Sequence, residues 1–129
     1  MALNQLILAS ASPRRKKLLE QIGITPSLVV PAIIDEIPKK AERPPEFAKR
    51  MALAKATQVS ISNENEYILA ADTVVAIGRT IFPKAETEDE VRDFITRLVG
   101  RNHRVYRGIC LIKPGGIVIN RLIESKVFI

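Results

Sequence analysis

At 129 residues and 47% hydrophobic, with two Tyr, four Phe and no Trp, the chain can build one domain around a mainly aliphatic core. No apolar run approaches the length of a bilayer span, and one cysteine, Cys110, excludes an intrachain disulfide or a cysteine metal cluster and suits a reducing cytoplasm. The net charge of +6 admits a nucleic acid, an anionic small molecule or plain solubility.

The cations fall at 14–17, 39–43, 49–55, 84 and 101–107, mostly beside turn or helix-start signals. That spread favours a cleft assembled from several loops over a nucleic-acid-binding tail. An aromatic single-strand platform and a recognition-helix pattern are both missing, so neither nucleic acid nor membrane is expected as a partner. Residues 3–11 are apolar but short and broken by Asn4 and Gln5, which does not make a targeting segment.

Residues 5–9 read as a strand. Ser12 then suits an N-cap and Pro13 the first helical position, with Leu18, Leu19 and Ile22 as the buried stripe and Gly23 as the stop. A second strand over 27–30 leads to the acidic pair Asp35-Glu36. Pro44-Pro45 opens a helix whose face carries Phe47, Met51 and Ala54, flanked by Ala48, Ala52 and Val59. A short strand over 67–71 delivers Asp72 at its end. Residues 73–77 and 80–82 read as a tight strand pair about Gly78-Arg79. Thr87 with Glu90 forms a capping box for a third helix with Val91, Phe94, Ile95 and Leu98 as its stripe, ended by Gly100. Residues 104–112 and 117–120 are strand-like, joined by Lys113-Pro114-Gly115-Gly116, and 126–129 suits a final strand. The predicted class is α/β, one domain over 1–129, a mixed sheet flanked by helices. Because the chain stops inside a strand-like run, further sequence downstream is expected.

The segment from Ser10 to Arg15 carries the strongest chemical signal. A strand feeding a serine-capped helix aims free backbone N–H groups and the positive end of the helix dipole at one place, which suits phosphate. Arg14 and Arg15 in the first turn oppose that dipole, a cost that a bound anion offsets. An ordinary capped helix with solvated arginines gives the same pattern, and the segment is not a Walker loop. Asp72 beyond its strand can orient water or hold Mg²⁺, with Thr73 as a hydrogen-bonding neighbour; a turn aspartate capping its own backbone is the plainer account. Asp35 or Glu36 can supply a second carboxylate. Lys55, four residues after Met51, leans to the buried side of its helix, and Lys84 follows Pro83 in a loop; both can neutralise phosphate or leaving pyrophosphate. His103 is the only histidine, too few for a multi-histidine zinc site, and is expected to contact substrate or serve structure. Arg101, Arg104 and Arg107 can flank the same cleft or a partner surface.

Leu6-Ile-Leu-Ala-Ser-Ala-Ser-Pro-Arg-Arg, Asp35-Glu36, Leu53-Ala-Lys-Ala and Ala71-Asp72-Thr-Val-Val, followed by Pro83-Lys84 and Gly100-Arg-Asn-His-Arg-Val-Tyr, resemble the Maf family of nucleoside triphosphate pyrophosphatases. The resemblance implies a strongly twisted sheet of the Maf/ITPase kind, with its second lobe incomplete here. It also implies a cytoplasmic hydrolase that cuts a nucleoside triphosphate to monophosphate and pyrophosphate with Mg²⁺ or Mn²⁺, a link to division arrest, and a homodimer. In that frame Asp72 is the proton acceptor, Glu36, Lys55 and Lys84 are its acidic and basic companions, and Asp72 and Glu36 hold the metal. Ser10, Arg14, Arg15, Thr73 and His103 then bind substrate. Ser-Pro-Arg-Arg with Asp-Thr is closer to the branch acting on dTTP and UTP than to that acting on 7-methyl-GTP. Two departures stand out: Phe82-Pro-Lys-Ala replaces the familiar Gly-Lys-Pro, and Val99-Gly100-Arg101 replaces Ser-Gly-Arg. The alternative is a catalytically impaired nucleotide-binding or regulatory protein.

Overall fold

The computed structural model describes residues 5–82 and 87–128. Its elements are β1 (Leu6–Leu8), α1 (Pro13–Gln21), β2 (Leu28–Val29), α2 (Pro44–Ser60), β3 (Tyr67–Ile77), β4 (Thr80–Phe82), α3 (Glu88–Leu98), β5 (Asn102–Ile112) and β6 (Val118–Phe128). The strands form one mixed six-stranded sheet in the order β2-β1-β3-β5-β6, with β4 also paired to β3. β1 is parallel to β2 and β3, whereas β4 and β5 run antiparallel to β3, and β6 antiparallel to β5. The expected α/β class holds.

The sheet differs from the sequence expectation in two places. Residues 67–77 form one strand, so Asp72 lies in mid-strand and not beyond a strand end. Residues 118–128 likewise form one strand where two short pieces were expected. In both cases the reason is β5, which pairs with β3 from Ile68 to Ala76 and with β6 from Val118 to Phe128. Continuous pairing carries polar residues such as Asp72 and Arg121 that read locally as interruptions.

One face of the sheet is covered by α2. Ala48, Ala52 and Ala56, spaced by four, lie on one ridge of the helix and are fully buried. They let the helix approach closely. Gly108 on β5 completes the fit, because a Cβ there would stand 2.3 Å from the Ala48 carbonyl oxygen. Around this contact lie two apolar clusters, one built on Ile7, Val59, Ile68 and Cys110, the other on Phe47, Met51, Val74 and Tyr106. The buried face of α2 thus runs through Ala48, Ala52, Lys55 and Val59 beside Phe47 and Met51, while Ala54 is only half-buried.

The expected stripe of α1 is not buried. Leu18 is 53% and Ile22 70% exposed, and no α1 residue is buried. Helical spacing identifies the side that could be covered; no described element covers it. In α3 the stripe is partly used: Leu98 is buried and Phe94 packs edge-on against Phe82, but Val91 and Ile95 are largely exposed.

Candidate active site

The edges of β3 explain where the site forms. β5 occupies one edge along Ile68 to Ala76. The other edge is shared by β1, which pairs with Tyr67 to Leu69, and β4, which pairs with Val75 to Ile77. Between them, among the described residues, no strand pairs with the edge of residues 70–74, at the point where β1 ends and the chain turns into α1. Asp72 and Thr73 sit in this gap.

Side chains alternate along β3, and Asp72 points to the α2 face among Ala70 and Val74. Only 3% exposed, its carboxylate accepts from Lys55 Nζ at 2.8 Å. The same ammonium meets Glu36 Oε1 at 2.8 Å. Two carboxylates from distant segments therefore converge on one cation position. Among the described residues the buried polar or charged side chains are Ser10, Lys55, Asp72 and His103, each already marked by sequence as chemically interesting. Burying an ion pair is costly unless its geometry is good, so this one is weak evidence for a stabilising role and stronger evidence for use.

Glu36 belongs to the loop between β2 and α2, and α2 holds that loop at successive points. The Gln58 side chain accepts from the Ile33 N–H and donates to the Ile33 carbonyl. Arg50 donates to the Ile37 carbonyl at 3.0 Å and to both carboxylate oxygens of Glu42. The hydrogen bonds from Arg50 hold the Glu42 carboxyl at about 2, well below the ordinary range. Arg50, Lys55 and Gln58 thus lie along the helix as three anchors for one loop. The sequence marked Lys55 and Glu36 but not the Arg50 and Gln58 anchors, whose side chains read as ordinary surface polar residues.

On the opposite face of β3, Arg15 donates to Thr73 Oγ1 at 3.2 Å. Burial lowers the Arg15 guanidinium from its ordinary value; nearby Asp72 opposes that effect, Arg107 reinforces it, and Glu36 opposes it more weakly. One guanidinium therefore senses both carboxylates around the open edge. Ser12 takes the N-cap position without a capping side-chain bond; instead Ser10 Oγ accepts from the Ser12 N–H at 3.0 Å. The first turn of α1 has no acidic residue. By contrast, α3 has Glu88, Asp89 and Glu90 in its first turn, and Thr87 caps the Glu90 N–H as expected. Arg14 is exposed beside this site.

The structure thus brings Ser10, Arg15, Glu36, Lys55, Asp72 and Thr73 to one edge. Lys84 lies outside the described residues. His103 stands apart: it is buried at the start of β5, five residues and roughly 17 Å of strand from Gly108, the partner of Asp72. Its Nδ1 has no hydrogen-bond partner. The three later arginines do not share one cleft. Arg104 pairs with Glu124, Arg101 lines a hollow of about 440 Å³ with Arg97 and Phe82 between β4 and α3, and Arg107 lies opposite Thr73. That hollow contains neither carboxylate of the Lys55 triad.

The donor set suits a hard divalent cation, which is commonly held through one or two carboxylates with phosphate and water completing the shell. Asp72 and Glu36 offer two carboxylate oxygens around a position that already favours positive charge. No group of three or more metal-ligating side chains occurs among the described residues.

A family model described as "Maf-like protein" matches residues 5–128. The chain belongs to the Maf-like family. This Maf-like chain is 51% identical over 131 residues to a dTTP/UTP pyrophosphatase of Mesorhizobium japonicum, covering 97% of itself and 63% of that protein. It is 53% identical over 122 residues to a dTTP/UTP pyrophosphatase of Caulobacter vibrioides, with 95% and 63% covered. The Maf-like chain therefore spans less than two thirds of the length of these relatives. Its fold resembles the Staphylococcus aureus Ham1 protein, at a TM-score of 0.63, 12% identity, and coverage of 94% and 69%. It also resembles a nucleoside-triphosphatase, dITP/XTP pyrophosphatase, of Mycobacterium abscessus, at a TM-score of 0.56, 15% identity, and coverage of 94% and 71%. At such identities the likeness is one of fold. No helix among the described residues is long and apolar enough to cross a membrane.

Proposed function

We propose that this chain carries the catalytic edge of a nucleoside triphosphate pyrophosphatase acting on dTTP or UTP. The observation that carries the reading is the buried Lys55 ammonium held between Asp72 and Glu36, beside the open stretch of β3 that Arg15 also faces. Support for the substrate comes from relatives of about half-identical sequence that are named dTTP/UTP pyrophosphatases.

In the proposed reaction, a water oxygen bonds to the α-phosphorus while the bond from that phosphorus to the bridging oxygen of the β-phosphate breaks. Pyrophosphate leaves with the electron pair, and Asp72 takes the proton of the attacking water. Lys55 holds the Asp72 carboxylate in place and offsets charge growing on the phosphates. Arg15, Ser10 and the uncapped first turn of α1 grip the phosphate chain, with Arg14 and Lys84 as further cations. Asp72 and Glu36 would hold Mg²⁺ or Mn²⁺, whose chemistry is to neutralise phosphate charge and to acidify bound water. His103 is assigned to substrate contact only through a part of the nucleotide remote from the phosphates. A homodimer, a cytoplasmic location and a part in division arrest belong to the same reading.

The test is pyrophosphate release by the 129-residue chain across dTTP, UTP, CTP, GTP and ATP, with Mg²⁺ or Mn²⁺ and with chelator. Metal-dependent release that favours dTTP and UTP, and is lost in Asp72→Asn, is the expected result. Unchanged turnover in Asp72→Asn would reject that residue as the base. One observation favours a second reading: the chain covers only 63% of its relatives' length. Triphosphate binding without pyrophosphate release by the folded chain would establish a nucleotide-binding protein instead.

A further inference from the structure

We infer that Arg107 binds a phosphate of the triphosphate chain, closing with Arg15 a two-guanidinium clamp over Thr73; the inference rests on the triphosphate reading above. Thr73 and Arg107 are directly paired across β3 and β5, so their side chains rise from the same face of the sheet, with Cβ atoms about 5 Å apart. Arg15 reaches the same threonine hydroxyl from α1. Two like charges from separate elements therefore meet at one residue.

No carboxylate among the described residues forms an ion pair with either guanidinium. The contrast with Arg104, three residues earlier on β5, is direct: it faces the α2 side and pairs with Glu124. On the other flank of Arg107, β6 places Ile123, with Arg121 and Ser125 at the two diagonal positions on that face, and none of them supplies a negative counter-charge. Burial lowers the Arg15 guanidinium and Asp72 on the other face opposes this, while Arg107 lowers it further, which places the two guanidiniums within electrostatic reach of each other. Two guanidiniums on one face repel each other, and an anion seated between them relieves that repulsion. Guanidinium forks match phosphate oxygens in pairs, which fixes direction as well as charge. The clamp lies across β3 from Asp72.

The experiment is calorimetric titration of the 129-residue chain with inorganic tripolyphosphate, with dTTP and, separately, with thymidine. Variants are Arg107→Ala, Arg107→Lys and, as a control for general charge, Arg121→Ala. Arg107→Ala is expected to weaken tripolyphosphate binding roughly tenfold or more. Arg107→Lys should recover only part of that loss, Arg121→Ala should change binding little, and all should melt like the parent. Unchanged binding by Arg107→Ala, or an equal loss in Arg121→Ala, overturns the clamp while leaving the enzyme reading intact. Failure of the parent chain to bind tripolyphosphate or dTTP overturns both. Tight thymidine binding that Arg107→Ala abolishes would place the nucleoside, not a phosphate, on this residue and also overturn the proposal.

Discussion

Lys55 is the side chain on which the site's architecture turns. Its ammonium serves Asp72, which is 4% exposed at the side chain, and Glu36, which is 42% exposed. Replacing it with methionine leaves the buried Asp72 charge without its partner, and a loss of stability of roughly 3–5 kcal/mol is expected in urea unfolding. Asp72→Asn should cost much less, because the ammonium keeps Glu36 and the amide oxygen still accepts its hydrogen bond. Observing equal losses would mean that the Lys55–Glu36 contact contributes nothing once Asp72 is neutral. Lys55 and Arg15 were legible from sequence because helix phase and helix starts are local patterns, whereas Asp72 was singled out on a strand end that the structure replaces with mid-strand. Arg107 was visible only as one of three later arginines, since its register against Thr73 depends on a strand pairing thirty-four positions apart in sequence.

At the scale of elements, the loop from β2 to α2 is the part whose order depends on pH. Arg50 depresses the Glu42 carboxyl to about 2, so the folded chain binds that proton less readily than the unfolded one. The pair therefore adds stability above the unfolded value of about 4.5, and this contribution fades as pH falls towards 2. Arg50→Gln is expected to move the acid-unfolding midpoint, followed by circular dichroism, to higher pH; an unchanged midpoint would assign the pair no energetic role. α1 behaves differently. Leu18 and Ile22 are exposed, so Leu18→Ser with Ile22→Lys should alter the stability of this chain by no more than about 0.5 kcal/mol per site. A larger drop in melting temperature would reveal packing on that side. Helix starts were readable throughout, from Pro13, Pro44 and Thr87, because they are set within a few residues. Strand continuity was not, because β3 and β6 each owe their full length to β5.

Over the whole molecule, a sheet with one face covered by a close-packed helix leaves its candidate site at an edge, between β1 and β4. The fold class followed from the alternation of helical and strand-like segments, whereas the covering of each face depended on contacts that no local pattern encodes. Gly108 illustrates the point. As a glycine within a strand it reads as a weak spot or a bulge, yet it is the seat on which α2 rests. Gly108→Ala would place a methyl group 2.3 Å from the Ala48 carbonyl oxygen, and restoring ordinary contact requires the helix to retreat by about an ångström. Lys55 rides two turns along the same helix. The missing side chain acts as the thickness of a gauge block: it sets how far Lys55 stands from Asp72 without touching either. A shift of that size is enough to lower turnover by about a hundredfold. The methyl is thus expected to slow catalysis even in molecules that remain folded, and equal turnover per folded molecule would show that the spacing has slack. By this measure the reach of Lys55 towards Asp72 is set by a hydrogen on another strand.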